Sequence, residues 1–383
     1  MSPADATVFS ALVGQEAVVA QLQAAADGQG MTHAWLFTGP PGSGRSIAAR
    51  AFAAALQCPS NGCGTCETCH QALSGNHPDV AVIVPEGLHL LIDQAREVIE
   101  RSSRAPTRGR WQVTLIEDAD RMEERTSNTL LKAVEEPPPH SVLLLCAPSV
   151  DDLLPTIRSR CRLVQLRTPS ADAVAGVLVA EGVDPAIAAF AARASQGHIG
   201  RARRLATNED TRRERADVLR LPTSLTSVAS ALGAAKDLVD AAKEEADKLA
   251  AGRDEAEREA LATALGAGAT GKGLTAGAPR GGAGALKELE RRQKSRGTRT
   301  QRDALDRALI DLAAFYRDVL SLQLGTGAAL VHADLVDQAT RIASATHPED
   351  TLHRVDAVLA CREAIDGNVA PQLAVEAMAL ALR

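Results

Sequence analysis

Short apolar runs alternate with stretches of helical period over the first 168 residues, and beyond them the strand signals stop. Ala34–Thr38, Val80–Val84, Val113–Ile116 and Val142–Cys146, with a shorter run at Leu163–Leu166, read as strands. Ile47–Leu56, Ile92–Arg101 and Ser127–Val134 read as helices between them. The last is stopped by Glu135-Glu136-Pro137-Pro138-Pro139, because proline has no N–H to give a helix and clashes with its preceding turn. This alternation predicts a parallel sheet with crossover helices. Three short helices follow over 170–205, broken at Gly182–Pro185 and Gly197–Gly200, and the pattern is helical from about 212 to the end. Leu305, Leu309, Leu312, Tyr316 and Val319 form one apolar stripe, the signature of bundle core. Gly266–Gly284 has no hydrophobic face and reads as a flexible loop between two charged helices, roughly 233–264 and 285–322. The predicted class is therefore α/β plus all-α.

Composition adjusts this picture in a few places. A chain of 383 residues is long enough for two or three domains, and 45% hydrophobic with 23% charged residues describes a soluble globular protein. The net charge of -6 argues against a protein that coats nucleic acid by bulk electrostatics, while leaving room for local basic patches. The opening MSPADATVFS carries neither a basic nor an apolar leader region, and no run approaches the roughly 20 apolar residues of a spanning helix. A cytoplasmic protein without membrane partners is expected. In that compartment seven cysteines point to metal or thiol chemistry before disulfides.

Three motifs carry chemistry. Strand Ala34–Thr38 runs into Gly39-Pro40-Pro41-Gly42-Ser43-Gly44-Arg45-Ser46 and then a helix, a phosphate loop with arginine in place of lysine. Gly39, Gly42 and Gly44 let backbone N–H groups converge on a phosphate, and Ser46 would offer its hydroxyl to Mg²⁺. Lysine is a compact charge on a flexible stem, whereas the Arg45 guanidinium is a wide planar fork. The acidic strand end is also altered: Val113–Ile116 leads into Glu117-Asp118, where an active site has Asp-Glu, so each carboxylate is displaced by about one methylene.

The second motif is Cys58, Cys63, Cys66 and Cys69, spaced C-x₄-C-x₂-C-x₂-C in a loop of small and polar residues. Four thiolates so spaced fit a closed tetrahedral zinc site, with a redox pair or an iron–sulfur cluster as the other readings. His70 and His77 read as surface or hydrogen-bonded residues, and Cys146, Cys161 and Cys361 as small hydrophobes. The third motif is Ile157-Arg158-Ser159-Arg160-Cys161. Its arginine is either a solvated charge or a finger that stabilises charge in a neighbour's nucleotide site.

Together these motifs resemble the δ′ subunits of the bacterial DNA polymerase III clamp loader, an AAA+ family, over nearly the whole chain. The resemblance rests on Leu12-Val13-Gly14-Gln15, His33-Ala34-Trp35-Leu36-Phe37, the phosphate loop, the cysteine module, His77-Pro78-Asp79, Leu130 through Pro137, Ser159-Arg160-Cys161 and Asn368–Glu376. It implies an AAA+ domain at 1–168 with an inserted zinc module at 58–69, a three-helix lid at 169–210 and a helical collar at 211–383. It also implies a degenerate nucleotide site of Val13, Gly39, Gly42, Gly44, Arg45, Ser46, Glu117 and Asp118. Val13 would lie beside the adenine of ATP or ADP, and the sequence leaves occupancy open. The implied partners are the γ/τ ATPase and δ subunits, the sliding clamp and primer–template DNA.

Four departures from an active site point to a subunit with no ATPase cycle of its own: Arg45, Glu117-Asp118, Ala147-Pro148 at the polar sensor, and Gly200 at the sensor arginine. Arg160, acting in trans, is then the residue expected to serve catalysis. Two rivals stand beside this reading. One is an active γ/τ-type ATPase. The other is a DNA-binding scaffold using Arg121, Arg125 and Lys132, which also read as a solvated face paired with Glu123, Glu124 and Glu135.

Overall fold

A computed structural model describes residues 7–85, 87–90, 92–265 and 282–383, and divides into two compact units, the first of residues up to Pro85 and His89–Thr207, the second of Asn208–Arg383 with the short segment just before His89. Most of the Gly266–Gly284 loop lies outside the described residues.

The first unit is built on five parallel strands in the order β2-β3-β4-β1-β5: β1 (Ala34–Thr38), β2 (Val80–Ile83), β3 (Gln112–Ile116), β4 (Ser141–Ala147) and β5 (Arg162–Gln165). The strands expected from sequence are thus all present, with ends shifted by one residue or so. Every residue of β1, β3 and β4 is buried, as expected for parallel strands covered on both faces. β1 lies between β4 and β5, with Leu36 opposite Leu145 on one side and Leu163 on the other.

On one face α2 (Arg45–Gln57) packs its alanines and Phe52 onto the sheet, and Phe52 meets Trp35 edge-on at 4.8 Å. α1 (Glu16–Ala26) and α3 (Glu67–Ser74) lie in the same apolar cluster. α4 (Ile92–Ser102) and α5 (Glu124–Glu135) cover the other face through Val98, Leu130 and Val134, and the one-turn helix α6 (Pro155–Arg158) leads into β5.

Three helices with their own apolar cluster complete the unit: α7 (Ala171–Ala180), α8 (Pro185–Ala194) and α9 (Ile199–Thr207). Asp184 caps α8 ahead of Pro185 and α9 begins at Ile199, so both breaks expected from sequence separate helices, while Ser170 caps α7 by accepting from the Ala173 N–H.

The second unit is helical: α10 (Glu209–Ser224), α11 (Val228–Ala264), α12 (Gly282–Gln323), α13 (Val336–Ala345), α14 (Pro348–Asp366) and α15 (Pro371–Ala381). The predicted stripe from Leu305 to Val319 is its core, with Leu305, Leu309, Leu312 and Val319 fully buried. Asp318, also buried, accepts hydrogen bonds from the N–H groups of Val331 and His332 and from the His332 ring, which pins the turn ahead of α13.

Candidate nucleotide site and metal centre

Ligands of open parallel sheets bind beyond the carboxyl ends of the strands. Here the ends of β1, β3 and β4 bring together the phosphate loop, Glu117-Asp118 and Ala147-Pro148. The loop turns on left-handed glycines, Gly42 at φ 86° and Gly44 at φ 91°, conformations that a side chain rarely adopts. Arg45 and Ser46 begin α2 directly after Gly44. The Gly39 N–H donates to the Pro148 carbonyl (3.1 Å), so the apolar stand-in for the polar sensor still fastens the loop through its backbone. Leu12 lies beside Gly44, Gln15 reaches the carbonyls of Ser43 (3.4 Å) and Arg167 (2.6 Å), and half-buried Val13 sits between them in sequence. The start of the chain is thereby tied to the phosphate loop.

The charged side chains of the site are already engaged with one another and with the backbone. Arg45 Nη1 donates to the carbonyl of Gly39, the first residue of its own loop. Arg50, one turn further along α2, holds Glu117 through an ion pair of 2.8 Å and an Nε hydrogen bond of 2.9 Å. Asp118 adopts a left-handed backbone at φ 49° and stands 3.9 Å from Arg121. Burial pushes the Asp120 carboxyl up, and the Asp118 charge adds to the effect while Arg45 opposes it. Burial likewise raises the Cys146 thiol, which is enclosed behind these charges.

The turn between α8 and α9 closes over the same loop. A methyl group on Gly42 would stand 2.6 Å from the Cα of His198, so the two backbones are in direct contact. His198 Nδ1 in turn accepts from the Arg201 N–H at the start of α9, beside Gly200. Neither the Arg50–Glu117 pair nor the His198 contact was found by motif reading. Both depend on how helices seat on a sheet, which spacing does not encode.

The cation of the loop is turned to a carbonyl and the first carboxylate of the strand end to a guanidinium. Arg160 lies elsewhere on the unit, half-exposed, with Nη2 2.9 Å from Glu135 and Nη1 donating to the Thr156 carbonyl. Arg121 stands 3.9 Å from Asp118, while Arg125 and Lys132 are exposed on α5.

The four cysteines form a metal-sized cluster, their sulfurs all within 4.8 Å of one another. A tetrahedron with Zn–S bonds of about 2.3 Å requires sulfurs about 3.8 Å apart. Cys58 Sγ stands 3.7 Å from the sulfurs of both Cys63 and Cys66, so this set fits zinc. Backbone N–H groups support it: Ser60 donates to Cys58 and Cys69 to Cys66, each at 3.4 Å. N–H groups of Thr65 and Cys66 pull the Cys63 thiol down to about 6, and burial pushes Cys69 the other way. His70 is exposed, and buried His77 accepts from the Asp79 N–H, so neither is drawn into the cluster.

Residues 14–170 match the family described as DNA polymerase III, delta subunit. The DNA polymerase III subunit gamma/tau of Mycobacterium tuberculosis is 37% identical over 202 residues, which cover 49% of this chain and 35% of that protein. The delta′ subunit of Bacillus subtilis is 30% identical over 50% of this chain and 59% of its own length. For the delta′ subunit of Pseudomonas aeruginosa the figures are 37%, 38% and 45%. The chain thus spans a third to rather more than half of the length of these relatives. Through a parallel-sheet domain with a phosphate loop and a four-cysteine cluster, this chain resembles the clamp-loader subunits of DNA polymerase III, both delta′ and gamma/tau.

Proposed function

We propose that this chain is a δ′-type subunit of a DNA polymerase III clamp loader, one that helps place a sliding clamp on primed DNA without hydrolysing ATP itself. The observation that carries the reading is the double engagement at the phosphate loop, Arg45 on the Gly39 carbonyl and Arg50 on Glu117. Phosphoryl transfer needs the cation, the metal carboxylate and the water-orienting carboxylate to act together, and here the first two are committed elsewhere. The three-helix lid, whose turn rests on Gly42, is then a fixed cover instead of a moving sensor.

Arg160 serves in this reading as the finger for a neighbouring γ/τ site. Its half-exposed position and its rim ion pair with Glu135 suit a residue that changes partner on assembly. In a head-to-tail ring each interface combines one nucleotide site with one finger, so a retired site leaves the adjacent one intact. Zinc at Cys58, Cys63, Cys66 and Cys69 is structural, because four protein ligands leave no open position. The second unit would be the collar that joins the γ/τ and δ subunits. α15 supports that role, since Leu373 and Leu380 are exposed while Val375 and Met378 on its other side are buried.

A second reading, an active γ/τ-type ATPase, is favoured by the 37% identity to the mycobacterial gamma/tau subunit. Calorimetry with ATP and ADP, together with steady-state phosphate release by the purified chain, separates the two. The δ′ reading expects no turnover above a protein-free blank. Turnover abolished by Arg45→Ala would establish the motor.

A further inference from the structure

α11 and α12 form an antiparallel hairpin, with Glu245 opposite Arg307, Asp254 opposite Arg296 and Arg258 opposite Gln293. Its apolar core is confined to one end. The last buried apolar residue of α11 is Ala246, and on α12 burial resumes at Ala304. In the distal arm, residues 247–264 and 282–303, the buried side chain among the described residues is a glutamine, Gln293. At 1.5 Å per residue the α11 side of this arm extends about 27 Å past the core.

Polar contacts close the arm. Arg296 lies 2.5 Å from Asp254 and 2.6 Å from Glu257. Gln293 donates to the Asp254 carbonyl (3.0 Å) and accepts from Arg258 (3.0 Å), and Arg253 adds a second cation to Glu257 at 2.9 Å. An apolar seam is insensitive to moderate salt, whereas partly exposed ion pairs weaken as salt screens them. The screening length falls from about 10 Å at 0.1 M salt to about 3 Å at 1 M. Most helical stability in proteins comes from one face packing on a neighbour, and here that neighbour is held by polar contacts.

We propose that the distal arm is a salt-gated device: Arg296, bridging Asp254 and Glu257, latches the two helices, and its release lets the arm part and fray while the core of the second unit stays folded. The Arg296 guanidinium holds the Glu257 carboxyl down at about 2. The Glu257–Arg296 pair is therefore complete above the ordinary carboxylate range and is lost as pH falls through about 2, which makes salt the useful handle near neutral pH.

Hydrogen exchange of the full chain, read in peptides from 247–264 and 282–303 against the core segment 305–319, tests the proposal at 0.05 M and 1 M sodium chloride. The arm peptides are expected to exchange about tenfold faster or more at high salt, with the core unchanged. Arg296→Gln should give that fast exchange already at low salt. Replacing Arg296 and Glu257 together by leucine should restore protection and remove its salt dependence. Equal protection of the arm at both salts, or loss of protection in arm and core together, would overturn the proposal.

Discussion

Arg50 on α2 clamps Glu117 at the end of β3 across 2.8 Å, so a residue behind the phosphate loop controls the carboxylate that would face its metal. Neither residue is exposed enough for the pair to be a surface ornament, at 29% and 16%. If the proposed function holds, restoring the loop lysine alone does not restore hydrolysis. Arg45→Lys is expected to turn over ATP no faster than the unchanged chain in a steady-state phosphate assay. Turnover near that of a working AAA+ subunit would mean that Arg45 is the sole defect.

The cysteine module predicts about one zinc per chain, since four thiolates close one tetrahedron. Chelation should lower the melting temperature, and Cys69→Ser should do the same while reducing zinc measured by atomic absorption. The module is packed into the first core: Val8 and Ala55 press on Gly62, and Cys58 and Cys69 belong to the apolar cluster. Retention of full stability after demonstrated zinc removal would contradict a structural role.

Much of this was legible in the sequence. The five strands announced themselves because parallel strands buried on both faces are short unbroken apolar runs, and the cysteine spacing announced four sulfurs that the fold does bring together. What could not be read is anything set by one helix meeting another surface. Arg50 looks like an ordinary helix charge until α2 is laid against β3. His77-Pro78-Asp79 reads as a family mark, yet its work appears only in three dimensions, where buried Asp79 organises a loop nearly thirty residues away. The hairpin helices were expected, but not that their far ends meet through Arg296 and Gln293 instead of an apolar seam.

Asp79 gives a prediction with a definite sign. Its carboxylate accepts from the Thr107 N–H (2.7 Å) and hydroxyl and from the Arg108 and Gly109 N–H groups (2.7 Å each). Burial alone would raise its pKa, but these donors outweigh it and hold the carboxyl at about 2, below its usual value. Its stabilising contribution is thus complete above the ordinary carboxylate range and is lost as pH falls through about 2. Asp79→Asn should cost about 2 kcal/mol in denaturant unfolding at neutral pH and should flatten the acid limb.

The outer side of α15 offers a test of the collar. Leu373→Glu with Leu380→Glu changes two exposed leucines and should leave the melting temperature of the isolated chain within a degree or two. Affinity for γ/τ and δ subunits in sedimentation should fall by about tenfold or more, equivalent to about 1.4 kcal/mol. Unaltered assembly would move the interface elsewhere.

The central claim is that this chain completes a neighbour's ATP site while leaving its own idle. Arg160→Ala, examined in the DNA-stimulated ATPase of a reconstituted loader, tests it most directly. The arginine is half-exposed and its pair with Glu135 contributes about 1 kcal/mol or less, so folding and assembly should survive the change. ATPase is predicted to fall by about a hundredfold or more at the site this subunit adjoins. Undiminished ATPase in a fully assembled complex would contradict the account.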